Sequence, residues 1–150
     1  MRGIYAMSRE KARELVLCLA FEKEYQRDKS CEEIYDYLFE ELGGDLFFEK
    51  DVKARDRAYI KSTFYGVFEH LEQIDAMVSG LAVGWAYSRI SKISMALLRI
   101  AAYEILYAKD VPVPVAINEA VELSKKYDDP EAYTFINGVL GSVAKSNKKV

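Results

Sequence analysis

The sequence predicts an all-α protein of about seven helices, arranged in two packed helical subdomains. Apolar residues recur three and four positions apart through most of the chain, which is the spacing of a helix face. No segment shows strand alternation bounded by hairpin turns. The chain has 150 residues, of which 51% are hydrophobic and 30% charged, and this is enough for a soluble globular core. We expect a single domain over residues 1–150, with approximate subdomains 1–80 and 81–150.

The first two helices are predicted from their start signals. Ser8 is a suitable N-cap for a helix whose face is apolar. Its inward positions are Ala12, Leu15, Val16 and Leu19. Ser30 and Glu33 have the spacing of a capping box, in which each side chain accepts a backbone N–H. The inward stripe of this second helix is Ile34, Tyr37, Leu38 and Leu42. Gly43-Gly44 should end it, because glycine accepts the left-handed conformation at a helix end.

A long third helix is predicted by an apolar seam of seven positions that alternate four and three residues apart. These positions are Ile60, Phe64, Val67, Leu71, Ile74, Val78 and Leu81. Asp51 can cap the start of the helix, and Gly80 and Gly84 end or kink it. So regular a seam is typical of coiled-coil-like packing, and we expect this helix to link the two halves of the molecule.

The remaining helices follow in the second half of the chain. A short helix is predicted around Trp85 and Tyr87, and a longer one over residues 94–107, from Ser94 to about Tyr107. Pro112 and Pro114 then restrict the chain to extended geometry, and Pro114 can occupy the first turn of the next helix because no N–H is needed there. Pro130 repeats this device before the last helix.

Charge is distributed unevenly along the chain, although the formal net charge is only −3. Residues 1–29 carry seven Arg and Lys against five Asp and Glu, whereas residues 30–51 carry one Lys against eight Asp and Glu. A small basic footprint beside an acidic remainder favours binding of a short nucleic-acid segment at a defined place over coating of any polyanion. The role of the acidic segment 30–51 is left open.

The basic start of the first helix is the first candidate site. Arg9 and Arg13 are one turn apart and share a face, so their guanidinium groups could clamp phosphates, with Lys11 on another side as a point charge. Glu10 and Glu14 are equally natural partners for these arginines, and the spacing alone favours such an ion-paired helix surface.

Polar residues inside the last two helices form the second candidate site. Phe135 precedes a full apolar stripe, so its ring either projects elsewhere as a stacking platform for a base or lies half-buried in the core. Asn137 and Gly138 fit either a close helix–helix contact or a polar contact to a ligand. Asn118 and Glu119 favour a structural role, bracing the loop backbone before their helix.

Signals for catalysis, metal binding and membranes are scarce. The chain has no phosphate-binding glycine loop and no nucleophile motif, and its single histidine, His70, has no evident partner. Cys18 and Cys31 are not spaced as zinc ligands. No apolar stretch is long enough to cross a bilayer, and no export signal is evident at the N-terminus, so we expect a cytoplasmic protein with reduced thiols.

Four sequence blocks resemble the NusB family of bacterial transcription antitermination factors over nearly the whole chain. The blocks are Arg9-Glu10-Lys11-Ala12-Arg13-Glu14, Leu98-Arg99-Ile100-Ala101-Ala102-Tyr103-Glu104-Ile105, Asp110 to Leu123 with its Val115-Ala116-Ile117-Asn118-Glu119-Ala120 core, and Phe135-Ile136-Asn137-Gly138-Val139-Leu140. Ser94-Met95 departs from an Asp-Arg pair of many relatives, and Phe21 from a usual tyrosine.

The resemblance implies a two-subdomain helical fold, no cofactor and no catalysis. It implies binding of boxA-type RNA together with NusE, a small-subunit ribosomal protein, and action on the RNA polymerase complex at ribosomal RNA operons. The family's arginine-rich opening falls on Arg9, Lys11 and Arg13, and its RNA-contacting aromatic on Phe135, with Asn137 beside it. These residues would line one groove for a flexible RNA strand.

Two other functions stay open at this level. One is a stand-alone RNA-binding module of the NusB-like kind that is attached to RNA cytosine methyltransferases. The other is a helical scaffold that acts through protein contacts, with the acidic segment as its docking face. The oligomeric state is open between a monomer and a homodimer.

Overall fold

A computed structural model of the protein describes residues 9–41, 54–82, 84 and 90–147. Over these ranges the chain forms seven α-helices and no strand, so the all-helical prediction is confirmed. The helices are α1 (Arg9–Tyr25), α2 (Cys31–Asp36), α3 (Ala54–Glu69), α4 (Leu71–Leu81), α5 (Lys92–Tyr107), α6 (Val113–Tyr127) and α7 (Ala132–Ser146); a π-helical turn (Tyr37–Glu41) continues α2. The predictions for Ser8, Leu42, Gly43-Gly44, Asp51 and the short helix around Trp85 and Tyr87 lie outside the described residues.

The chain divides into two compact units, Met1–Tyr65 and Gly66–Val150. This division falls inside α3, earlier than the predicted boundary near residue 80. The reason is that α4 packs on α5 and α7 of the second unit, so the second half of the predicted seam belongs with the helices that follow it.

In the first unit α1 packs against α2 through an apolar face. The predicted inward positions Ala12, Leu15, Val16 and Leu19 are all buried. The capping box of α2 is present, because Ser30 Oγ accepts from Glu33 N–H at 3.0 Å and Glu33 Oε1 accepts from Ser30 N–H at 2.8 Å. A helix start is thereby fixed by two reciprocal hydrogen bonds, as the sequence predicts.

The inward position predicted for Tyr37 is wrong. Its ring is exposed, while Tyr35 and Leu38 are buried. The helix changes from α to π geometry at Tyr37, and the wider turn shifts the side chains that follow away from the 3.6-residue period. A stripe extrapolated at constant period therefore misplaces this residue.

The predicted long helix is interrupted at His70, which separates α3 from α4. The φ of −110° and ψ of 23° at His70 lie outside helical values, yet His70 N–H still donates to Gly66 O at 3.1 Å. The imidazole stacks on the ring of Tyr107, with ring centres 3.9 Å apart. The seam itself survives the break, since five of its seven positions are fully buried. These are Ile60, Phe64, Val67, Ile74 and Val78.

In the second unit α5, α6 and α7 pack against one another. The start of α5 is Lys92 and its N-cap is Ser91, so the predicted start at Ser94 is wrong. Ser94 is buried inside the first turn, and its hydroxyl and that of Ser91 both donate to Asp128 Oδ2 at the end of α6. Ser94 therefore serves to tie two helices together.

A charged pair joins α4 to α5. Arg99 donates from Nε and from an Nη to the two carboxylate oxygens of Asp75, both at 2.9 Å. The Arg99 side chain is almost completely buried and that of Asp75 partly so. Parallel hydrogen bonds of this kind fix both distance and orientation between two helices.

Removing one side of this pair should destabilise the protein. Asp75→Asn leaves the guanidinium of Arg99 buried beside a neutral amide, and we expect the free energy of unfolding to fall by about 2 to 3 kcal/mol, less than for a fully buried pair. Urea unfolding followed by circular dichroism measures this change. Glu122→Gln is the matched control, because its pair with Lys125 is exposed at 3.6 Å and should contribute at most about 0.5 kcal/mol. Equal effects of both variants would contradict the structural role of Arg99 and Asp75.

Candidate nucleic-acid interface

The two arginines of α1 share an aromatic partner on α3. The guanidinium carbon of Arg9 lies 4.1 Å from the centre of the Tyr59 ring, and that of Arg13 lies 5.5 Å from it. A cation over an aromatic face is attracted by the ring quadrupole. Arg9 is half-buried, whereas Arg13 is only 5% exposed. The predicted common face is therefore present, with Arg9 nearer the surface.

Lys11 lies apart from the arginines, on the exposed side of α1. Its Nζ is 3.4 Å from Glu14 Oε1, and the Glu14 side chain is buried while that of Lys11 is about half exposed. Glu14, which spacing offered as a partner for the arginines, thus pairs with Lys11. An ion pair of a half-exposed lysine is weak, because water screens the attraction.

The α3 basic face, defined by Arg55, Arg57 and Lys61, was missed by the sequence analysis. All three side chains are exposed. They lie off the buried side of α3, whose positions include Asp56, Ile60, Thr63, Phe64 and Val67. Three cations at polar positions of one helix are visible in the sequence, whereas the apolar seam of the same helix predicts only its buried side.

Phe135 lies in the core of the second unit. Its ring is 6% exposed, close to the values of Ile136 and Val139 beside it. The ring of Phe135 therefore lies in the core and does not project away from the apolar stripe as an exposed stacking platform. Position 135 lies next to the buried stripe of α7, so the ring packs into the core with that stripe.

The exposed ring on this part of α7 belongs to Tyr133. Its side chain is 38% exposed, and the Nζ of Lys125 from α6 lies 4.9 Å from the ring centre. Asn137 is exposed and follows Tyr133 by four residues, so the two share a helix face. An aromatic ring, a cation and a side-chain amide therefore meet on one surface of the second unit. That this surface and the arginines of α1 line a common groove stays a prediction.

The loop before α6 is held by its own backbone. Val111 N–H donates to Ala108 O at 3.2 Å, and Val115 N–H donates to Pro112 O at 3.0 Å. Asn118 is exposed and Glu119 half-buried on α6. Their predicted bracing role stays a prediction.

The part of the chain that the structure describes brings no three His, Cys, Asp or Glu side chains into a group that could hold a metal ion. Among the helices of the same residues, none combines the length and apolar character that crossing a bilayer requires.

Solved structures share the fold. The chain superposes on Thermotoga maritima NusB with a TM-score of 0.81 at 28% identity, covering 95% of this chain and 94% of that one. A chain of the crystal structure of antitermination factors NusB and NusE in complex with double-stranded RNA gives a TM-score of 0.76 at 24% identity, covering 92% and 96% of the two chains. The protein is therefore an all-helical protein of the NusB fold.

The sequence narrows this class to one family. The model of the NusB family matches residues 10–145. The transcription antitermination protein NusB of Clostridium perfringens is 43% identical over 142 residues, covering 95% of this chain and all of the relative. That of Bacillus subtilis is 39% identical over 137 residues, covering 91% and 95%. The chain belongs to the NusB family.

Two helical glycines should respond in opposite ways to an added methyl group. A Cβ at Gly138 would meet no heavy atom within 4 Å beyond its chain neighbours and its own helix backbone, whereas one at Gly66 would overlap the ring of Tyr103. Gly138→Ala should therefore raise the free energy of unfolding by up to about 1 kcal/mol, since alanine is the better helix former. Gly66→Ala should lower it, because the ring of Tyr103 must move. Urea unfolding of both variants tests this, and a stabilised Gly66→Ala would contradict the contact.

Proposed function

We propose that this chain is a non-enzymatic transcription antitermination factor that binds boxA-type RNA together with NusE and promotes read-through by RNA polymerase in ribosomal RNA operons. The observation that carries the proposal is family membership over residues 10–145. Two relatives that are transcription antitermination proteins NusB match this chain over 90% and 100% of their own length. A structural neighbour of the same fold is solved with NusE and double-stranded RNA. We further propose that the protein acts in the cytoplasm.

The cations of α1 supply the contacts to RNA phosphates in this proposal. Arg9 and Lys11 reach the surface, where a guanidinium can bind a phosphate through two donors and an ammonium acts as a point charge. Arg13 is too deeply buried to bind a phosphate in the same way. Its role in the proposal is to sit over Tyr59 and position Arg9, since both cations share that ring.

The surface of α7 supplies the contact to bases. Unpaired RNA bases are recognised by stacking on aromatic rings and by hydrogen bonds to their edges. Asn137 offers both a donor and an acceptor for such an edge. The stacking role that the family resemblance implies for Phe135 requires its ring to leave the core. Tyr133 already presents an exposed ring on the face of Asn137, with Lys125 beside it for a phosphate.

The methyltransferase-module alternative gains no support from the comparisons. The chain spans 90% of the length of the Acetivibrio thermocellus relative and all of one Clostridium perfringens relative, and both are transcription antitermination proteins NusB. The family assignment therefore favours an antitermination factor over a module of a larger enzyme.

RNA binding with and without NusE tests the proposal directly. We expect a fluorescently labelled boxA-type RNA to bind more tightly when NusE is present, and a scrambled RNA of equal length to bind more weakly. Fluorescence anisotropy titrations at fixed ionic strength measure both differences. Indifference to RNA sequence and to NusE alike would overturn the proposed function.

The cations of α1 should contribute to RNA affinity one by one. Arg9→Gln and Lys11→Gln each remove one charged hydrogen-bond donor, so each should weaken binding about tenfold. Lys109→Gln is the matched control, because it removes an exposed lysine from the loop after α5 and should leave affinity unchanged. Arg13 is unsuitable for this test, since replacing a buried arginine would disturb folding. Equal affinities for Arg9→Gln, Lys11→Gln and the control would exclude α1 from the site.

The two rings of α7 can be separated by matched substitutions. Tyr133→Leu should weaken RNA binding several-fold with little change in the unfolding midpoint, because an exposed stacking surface is lost. Phe135→Leu should lower the unfolding midpoint, because a core ring is replaced by a smaller side chain. Anisotropy titration and urea unfolding are measured on both proteins. Weaker RNA binding by a fully stable Phe135→Leu, with Tyr133→Leu unaffected, would assign the stacking to Phe135.

A further inference from the structure

The exposed side of α3 in the first unit carries basic residues, and no exposed acidic residue of the same helix lies between Arg55 and Tyr65. Between Arg55 and Tyr65 the single acidic residue is Asp56, which is 1% exposed. The three members of the α3 basic face, by contrast, all reach solvent. The sign of this surface is therefore positive along the helix, in a chain whose net charge is −3.

Two of these cations are held in place by aromatic rings. The guanidinium carbon of Arg57 lies 5.7 Å from the centre of the Phe39 ring. The Nζ of Lys61 lies 5.2 Å from the Tyr35 ring and 5.9 Å from the Tyr65 ring. Long side chains lose rotamer freedom when they bind a ligand, and cations already resting on rings lose less of it. The α3 basic face is thus partly preorganised.

The α3 basic face continues the cation cluster of α1. Tyr59, which carries Arg9 and Arg13, follows Arg55 by four residues on the same helix, so these two side chains share a face. Arg57 and Lys61 are likewise four residues apart and lie along the opposite flank of the exposed side. The three cations therefore occupy both flanks of the exposed side over a helix rise of about 9 Å, and Arg55 is the one on the flank of Tyr59.

The charge changes sign beyond Lys61. On α2 the carboxylates of Glu32, Glu33 and Asp36 are exposed. The Nζ of Lys61 lies over the ring of Tyr35, which belongs to α2 and directly precedes Asp36, so these carboxylates are close to Lys61. Burial, followed by the charges of Glu32 and Asp36, raises the pKa of the nearby Tyr65 hydroxyl. A polyanion is attracted to α1 and α3 and repelled at α2. The described part of the acidic segment thereby limits the basic surface on one side.

We propose that the RNA backbone runs from α1 across the exposed side of α3, where Arg55, Arg57 and Lys61 bind its phosphates. The inference deepens the proposed function and rests on it. RNA is favoured over an acidic protein segment because the surface adjoins the α1 cations that the proposed function gives to RNA, and because several cations along one surface suit the regularly spaced phosphates of a nucleic-acid strand. In this arrangement the three side chains contact phosphates and not base edges. They therefore raise the affinity for RNA and direct the course of its backbone, but they do not recognise its sequence.

Salt dependence of RNA binding tests this path. The variant with Arg55→Gln, Arg57→Gln and Lys61→Gln should bind boxA-type RNA more weakly than the unaltered protein. Each phosphate contact to a single strand contributes about 0.7 to the slope of log K against log salt, so the slope should become shallower by about 2. Anisotropy titrations at four or more salt concentrations give the slopes. The milder variant Arg55→Gln removes one phosphate contact, so it should make the slope shallower by about 0.7.

The controls separate this inference from the proposed function. Lys109→Gln should leave the slope unchanged, and circular dichroism should show equal helicity and equal unfolding midpoints for every variant. If Arg9→Gln weakens RNA binding while the triple and Arg55→Gln variants keep the original slope, the α3 path is overturned and the proposed function stands. If the triple variant loses affinity for NusE while its RNA slope is unchanged, the face binds protein and the inference is likewise overturned. If the unaltered protein does not bind RNA at all, both fall.

Discussion

The contact of Tyr59 with Arg9 and Arg13 is the interaction on which the proposed RNA-binding surface of the first unit depends. A guanidinium as deeply buried as that of Arg13 loses hydration, and a nearby ring face compensates part of that loss while costing no second charge. The same ring carries the half-buried Arg9, whose guanidinium reaches the surface, where a phosphate could bind it.

The second unit depends on polar groups at the ends and flanks of its helices. Arg99 and Asp75 orient α4 against α5, and the hydroxyls of Ser91 and Ser94 converge on Asp128. Apolar packing alone tolerates sliding of one helix along another, whereas directional hydrogen bonds do not. The helices against which α7 packs, α4, α5 and α6, are therefore held in a defined register by groups outside α7 itself.

The sequence predicts the helical elements well because hydrophobic periodicity and capping are local properties. The capping box at Ser30 and the seam through Ile60 and Phe64 depend on residues within a few turns of one another. The break at His70 and the exposure of Tyr37 were not predictable in this way. The first coincides with a stacking contact to Tyr107, 37 residues away, and the second follows from a change of helix type.

The candidate site was predicted in part. The basic opening of α1 is local in sequence, and its common face follows from helix geometry. Which ring of α7 faces solvent depends on how α6 and α7 pack, so Phe135 and Tyr133 could not be distinguished from spacing alone. The α3 basic face can be recognised from the sequence, because its three cations lie at polar positions of a predicted helix. The apolar seam of the same helix predicts its buried side and says nothing of these cations.

The close approach of Tyr103 to Gly66 links two positions that are far apart in the chain. No side chain larger than a hydrogen atom fits at position 66 while the ring keeps its place. The requirement disappears when a small residue occupies position 103. A larger residue at position 66 is consequently tolerated only together with a smaller one at position 103. An alignment of related chains should therefore show the two positions covarying.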